Sequence, residues 1–207
     1  MTPDHYRTAA PIYDLWARLT ESKAATIAFE MARVKPGLAL LEVAVGTGLF
    51  FARLVAANPT GRNEGVELSP AMLSRAQSRL GALGIDNYNL QPGDARQLPF
   101  PEATFNLLVN NYMLDLLPED DFGPLLAGFA RVLKPNGRLV LSTMAPGPHW
   151  YHRAWGALAD SFPALLTGCR PIAISSHLSA AGFAIEQQLF VSQNTFPSEV
   201  TLARKSP

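Results

Sequence analysis

The chain has 207 residues, 48% of them hydrophobic, and its 17 Lys and Arg are balanced by 17 Asp and Glu. That length and apolar content suffice for one well-buried domain over residues 1–207, and zero net charge removes the basic excess that a nucleic-acid surface requires. No apolar run approaches the ~20 residues of a membrane span, no signal-peptide core opens the chain, and Cys169 is the single cysteine, so we expect a cytoplasmic protein, monomeric or homodimeric, with an idle thiol.

Residues 1–36 read as mostly helical, with Ile12, Leu15, Trp16 and Leu19 on one face and Ile27, Phe29, Met31 and Val34 in a second segment that stops at Pro36-Gly37. Placed ahead of the first strand, they predict a lid. The run Leu40-Leu41-Glu42-Val43-Ala44-Val45-Gly46-Thr47-Gly48-Leu49 is an apolar strand ending in an acid, then a glycine-rich bend that opens an amphipathic helix. Glycine suits that bend because the backbone must turn sharply and approach a ligand that a Cβ would hold off.

What the loop lacks narrows the ligand. A dinucleotide fingerprint places a third glycine where this chain has Phe51, and Glu42 at the mouth of the loop is a poor neighbour for phosphate. A carboxylate suits a cation, and S-adenosylmethionine (SAM) carries an ammonium and a sulfonium without phosphate.

Downstream acids recur at strand ends. Gly65-Val66-Glu67-Leu68 is a second strand whose Glu67 lies about 20 residues past the loop, where such folds put the acid that accepts ribose hydroxyls. Ser69 and Pro70 cap and start a helix with Met72, Leu73, Ala76, Leu80 and Leu83 at helical spacing, and Gly84 stops it. Tyr88 to Gln91 is a third strand leading to Asp94, an acceptor for an adenine amino group. Phe105 to Asn110 is a fourth strand, Glu119 to Leu133 a helix with Phe122, Leu125, Leu126, Phe129 and Val132 inward, and Arg138 to Thr143 a fifth strand. Residues 144–170 form an aromatic insertion on the substrate side, then Ser175 to Gly182 a short helix, and Phe183 to Val191 with Glu199 to Lys205 a closing antiparallel pair.

Residues 40–142 resemble the class I SAM-dependent methyltransferases, particularly the branch with the ubiquinone and menaquinone C-methyltransferases. The resemblance rests on Leu41 to Gly48, Glu67-Leu68-Ser69-Pro70-Ala71-Met72-Leu73, Gly93-Asp94-Ala95 with Leu98-Pro99-Phe100-Pro101 and Phe105-Asn106, and Val132-Leu133-Lys134-Pro135-Asn136-Gly137-Arg138-Leu139. Two residues depart from the family pattern: Ala44 stands in place of the first loop glycine, and Asn106 in place of the commoner aspartate. The resemblance implies an α/β fold, a Rossmann-like seven-stranded, mostly parallel sheet with an antiparallel last strand and helices on both faces. It implies SAM as cofactor, bound by Glu42, Ala44, Gly46, Thr47, Gly48, Glu67, Leu68, Asp94, Ala95 and Asn110, with Tyr13 from the lid turned toward the methionine carboxylate. No metal ligand set is expected.

Methyl transfer needs donor and acceptor held in line, and a general base only where the acceptor loses a proton. Candidates at the mouth are His5, Tyr6, Tyr112, Asp115, His149 and His152, each with an alternative as a packing, capping or surface residue, and Trp16 reads as packing. The aromatic character of lid and insertion predicts an apolar pocket for a small or lipid-like acceptor, with peripheral membrane contact through Trp155, Leu158 and Phe162 as an alternative to their burial. Asn110-Asn111-Tyr112 lacks the prolines of nucleic-acid amino-methylating enzymes, which again argues against nucleic acid. The leading expectation is a methyltransferase acting on a small apolar acceptor; a quinone C-methyltransferase, a phospholipid N-methyltransferase, a nicotinamide-dependent oxidoreductase and a non-catalytic SAM-binding protein stand as alternatives.

Overall fold

The computed structural model describes residues 14–152, 155 and 169–206. Seven strands form one sheet: β1 (Ala39–Val43), β2 (Arg62–Glu67), β3 (Asn89–Pro92), β4 (Phe105–Asn111), β5 (Leu133–Met144), β6 (Phe183–Gln193) and β7 (Phe196–Lys205), in the order β3-β2-β1-β4-β5-β7-β6. The pairs among β1 to β5 are parallel, and β7 is antiparallel to both β5 and β6. The central strands read as unbroken apolar runs because both of their faces are covered. In β1 and β4, Leu40, Leu41, Val43, Leu107, Leu108 and Val109 are all fully buried, each contributing ~2 kcal/mol by leaving water.

Helices cover both faces. On one side α1 (Ser22–Ala32), α2 (Leu49–Ala57) and α3 (Pro70–Ala82) bury Ala28, Phe51, Leu54, Ala76 and Leu80; on the other α4 (Phe122–Val132) and α5 (Ser175–Ala180) bury Phe122, Leu125, Phe129 and Leu178. The start of α3 follows the expected chemistry: Ser69 Oγ accepts from Met72 N–H at 3.4 Å ahead of Pro70. Its core face is narrower than the spacing suggested, since Leu83 is 62% exposed while Met72, Ala76 and Leu80 are buried. The β6–β7 hairpin closes through Asn194 and Thr195, both at positive φ, the backbone a two-residue turn needs to match strand twist.

Three expected details change. The leading segment, helical over residues 14–20, turns at Glu21 before α1, and Leu15 and Leu19 are half-exposed, so it docks through Trp16, Thr20 and Glu21 instead. The strand expected at Arg138 starts at Leu133, because Phe105 pairs with Leu133 across a register shift. The missing glycine at Phe51 is offset elsewhere: Phe51 is fully buried, and a Cβ on Gly65 of β2 would meet Leu90 at 2.4 Å, Val45 at 2.8 Å and the Phe51 ring at 3.2 Å. Room for close helix–strand packing therefore comes from the strand.

Candidate active site

Strand order reverses between β1 and β4, the switch point where open α/β sheets bind ligands at their carboxyl ends. Register brings the singled-out residues to that edge. Val43 lies between Val66 and Asn110, and Glu67 is opposite Pro92, so the ends of β3, β2, β1 and β4 deliver Asp94, Glu67, the loop 44–48 and Asn110 to Tyr112 side by side.

The loop after β1 is built from left-handed backbone. Ala44, Gly46 and Gly48 have φ of +60, +59 and +81, and Ala44 N–H is tied to Val66 C=O at 2.8 Å. Glycine is usual at position 44 because of this backbone geometry rather than side-chain size, and alanine carries a strain of about 1 kcal/mol there. Gly48 is needed twice over, since a Cβ on it would lie 2.9 Å from Ala76 Cα in α3. A Cβ on Gly46 would meet nothing within 4 Å, so open space lies over the loop. Glu67 fastens this loop: its carboxylate accepts from Gly46 N–H and from Ser69 N–H, each at 2.8 Å. Burial raises its pKa while the backbone N–H bonds pull it back down. Thr47 Oγ1 donates to Asp14 at 2.7 Å and Arg79 pairs with the same carboxylate, clamping the leading helical segment onto the loop.

A cavity of about 260 Å³ lies between that segment and the loop, lined by Ala17, Arg18, Glu21, Ala25, Glu42, Ala44, Val45, Gly46, Thr47, Phe50, Arg53, Asn111 and Tyr112 among others. Glu42 is 2% exposed and its Oε2 has no hydrogen-bond partner. Burial holds its carboxyl well above the usual range, the Asn111 side chain pulling part of the way back and Glu67 adding to the rise. Asn110 Oδ1 and Asn111 Nδ2 are likewise buried without partners, although Asn110 donates to Val43 C=O at 2.8 Å. Unpartnered buried polar atoms cost ~1–3 kcal/mol each. Glu42 and Asn111 line the cavity, with Asn110 next to Asn111 in the chain.

Tyr112 sits at φ +49 at the end of β4, an unusual backbone for a bulky residue. Its hydroxyl is hydrogen-bonded to Ser198 at 2.8 Å, and its ring belongs to an aromatic cluster in which Phe196 contacts Tyr112, Trp16 and Trp155 at 6.2, 5.9 and 5.5 Å. Trp16 thus packs, and Trp155 packs with it. Asp115 is fully buried, with Oδ2 accepting from Met144 N–H at 2.9 Å and Oδ1 without a partner. Burial lifts its pKa to about 7, so it is no simple helix cap.

The remaining expected residues divide. Asp94 caps a short turn by accepting from Arg96 N–H at 2.9 Å, Ala95 begins that turn, and Leu68, just past the end of β2, is 56% exposed. None of these three lines the cavity. His149 and His152 do not line it either: His149 stacks on Tyr151, and His152, 2% exposed, contacts Ser192 at 3.2 Å and the Phe190 ring. Burial lowers the His152 pKa, as does His149. His5, Tyr6 and Tyr13, like Leu158 and Phe162, lie outside the described residues. Sequence reasoning missed Asp14 and Glu21. Glu21 carried a signal only in hindsight, as a lone acid between apolar positions of a helical stretch.

Among the described residues no helix is long and apolar enough to cross a membrane, and no group of three His, Cys, Asp or Glu could hold a metal ion. The doubly wound sheet brings the left-handed glycine loop and the row of strand-end acids together at the switch point, where open α/β sheets bind their ligands. Residues 40–137 match a family model described as a methyltransferase domain. The chain is 34% identical over 115 residues to the demethylmenaquinone methyltransferase of Bacillus cytotoxicus, covering 55% of this chain and 48% of that one. It is 32% identical over 134 residues to a ubiquinone/menaquinone biosynthesis C-methyltransferase of Pasteurella multocida, covering 63% and 46%. A SAM-dependent methyltransferase structure from Methanosarcina mazei superposes with a TM-score of 0.71 at 16% identity over 84% of this chain and 94% of the other. The chain is therefore similar to SAM-dependent methyltransferases: in sequence over residues 40–137, and in fold over most of its length. It spans about half the length of the curated relatives it matches.

Proposed function

We propose that the protein transfers the methyl group of SAM to a small, largely apolar acceptor. The observation that carries this reading is the buried Glu42 carboxyl, whose Oε2 has no partner, lining one largely apolar cavity together with the open backbone of Gly46. A cation drawn beside Glu42 supplies the missing partner, whereas a phosphate would be repelled. Burial holds the free carboxyl above its usual range, and a cation arriving beside it favours the ionised form, so binding should be linked to loss of a proton. Calorimetry in buffers of differing ionisation enthalpy will show proton release on SAM binding, absent in Glu42→Gln.

The bound cofactor supplies an electrophilic methyl on sulfur. Gly46 and Thr47 would support its amino-acid part beside Glu42; Glu67 retains acceptor capacity beyond its two backbone bonds for ribose hydroxyls; Leu68, Asp94 and Ala95 would hold the base. Tyr112 and the leading helical segment would close the methyl end and exclude water, so that orientation does most of the catalysis.

The quinone relatives favour a finer reading, C-methylation of a quinol ring, whose flat apolar body suits a cavity walled by Ala17, Ala25, Val45 and Phe50. The test is transfer of labelled methyl from SAM into a host extract split into lipid and aqueous fractions, with Glu67→Ala as the blank. Label in an aromatic lipid supports the quinol reading, and label in the aqueous fraction replaces it with a soluble acceptor. No label in either, with SAM bound, refutes methyl transfer to a metabolite of that extract.

A further inference from the structure

Glu21 is unexplained by the donor site. It stands at the turn between the leading helical segment and α1, yet its side chain does not cap α1. It is 8% exposed, lines the cavity across from the glycine loop, and forms no ion pair among the described residues. A buried carboxylate without a counter-charge is costly, and proteins keep such groups where they act. We propose that Glu21 is the acceptor-side base of this cavity, taking the proton from an acceptor whose reacting atom is, or is conjugated to, a phenol or amine.

This assignment rests on the methyl-transfer reading. In the step, an O–H or N–H bond of the acceptor breaks and its proton passes to the Glu21 carboxylate. The freed electron pair forms the bond to the methyl carbon, and the carbon–sulfur bond breaks with its pair remaining on sulfur. Where a ring carbon beside a phenol is methylated, the same deprotonation delivers the pair to that carbon, and the ring C–H proton then returns to the oxygen. The atoms balance with SAM as the single co-reactant.

The surroundings are tuned for proton uptake. Arg18 and Arg53 share the cavity lining but are exposed, Glu42 and Tyr112 line its inner side, and Asp115 lies buried behind Tyr112 with Arg170 near it. Burial first, then the charge of Asp115, raises the Glu21 carboxyl to about 8, with the Trp16 side chain pulling part of the way back. A group with that affinity takes a proton from a phenol or an ammonium far more readily than an ordinary carboxylate.

The experiment uses the full chain as wild type, Glu21→Gln and Glu21→Asp. SAM affinity by calorimetry should agree within about twofold among the three, and loss of SAM binding in Glu21→Gln would put Glu21 in the donor site and overturn the proposal. Carboxyl-carbon NMR of glutamate-labelled protein, with the Glu21 signal identified by its absence in Glu21→Gln, should show a titration near 8; an ordinary carboxylate midpoint overturns it without any acceptor. In the labelled-methyl extract assay, Glu21→Gln should lose about 100-fold or more, Glu21→Asp should recover part of that loss, and the wild-type rate should rise with pH where Glu21→Gln is flat. Mass spectrometry of the product separates the sources: methyl on a phenol oxygen or its ring identifies the phenol arm, methyl on nitrogen the amine arm, and methyl on a thiol refutes both. Wild-type rates in Glu21→Gln overturn the assignment alone, whereas an inactive wild type overturns the methyl-transfer reading beneath it.

Discussion

The two sides of the cavity proposed to take donor and acceptor, with the acids just behind them, handle buried carboxyls differently. On the donor wall, Glu67 spends its charge on backbone, accepting from Gly46 and Ser69 and so fixing the loop that carries it. On the acceptor wall, the Glu21 side chain caps nothing and Asp115, behind Tyr112, leaves Oδ1 without a partner, and burial raises both well above ordinary carboxylates. In the proposed reading the donor wall is a cradle shaped by backbone, and the acceptor wall holds carboxyls whose proton affinity is raised by desolvation.

The sharpest way to break the donor wall is Gly48→Ala. Its Cβ would sit 2.9 Å from Ala76 Cα at a backbone φ of +81, so clash and strain together should remove roughly 3 kcal/mol of stability, read by urea unfolding. Glu67→Ala leaves the fold standing but frees Gly46 N–H, and SAM affinity should fall by about 1–3 kcal/mol, the scale of lost charge-assisted hydrogen bonds. Unchanged affinity would remove Glu67 from the donor site.

Asp115→Asn tests the acceptor wall. With the folded carboxyl near 7 and its ordinary value at 3.8, the folded state holds a proton that the unfolded state releases in that window. Stability therefore declines as pH rises from 3.8 to about 7, by up to about 1.4 kcal/mol per unit for one such group. The variant should flatten the fall in Tm across that range, and an identical slope would show that Asp115 is hydrated. The smallest effect is a gain: Ala44→Gly relieves a left-handed alanine and should stabilise by ~0.5 kcal/mol after the entropy of the unfolded glycine is set against it.

Much of the donor wall is written locally. Strand, glycine bend and helix follow one another within residues 40–57, and a left-handed bend can be made only by a few residue types, so Gly46, Gly48 and the acid before them are legible as letters. The cap at Ser69 and Pro70 is equally local. By contrast, Phe51 reads as a defect until Gly65 is seen across from it, because the packing space is shared between a helix and a strand 14 positions apart. Asn106, a departure from the family pattern, binds Ala39 N–H and the Lys134 ammonium at the far end of the strands, away from the cofactor edge.

The sequence by itself determined the alternation of strands and helices, the nucleoside-binding loop and the order of its acids, because each depends on residues within a turn or two of one another. Only the tertiary structure decided that His149 and His152 turn toward β6 and Tyr151 rather than the cavity, that Trp16 packs on Phe196, and that Glu21 lines the same cavity as Glu42 and Tyr112. Burial and the proton affinity that follows from it are properties of what surrounds a residue, and those surroundings come from distant segments, 21 positions away for Glu21 and Glu42 and 180 for Trp16 and Phe196.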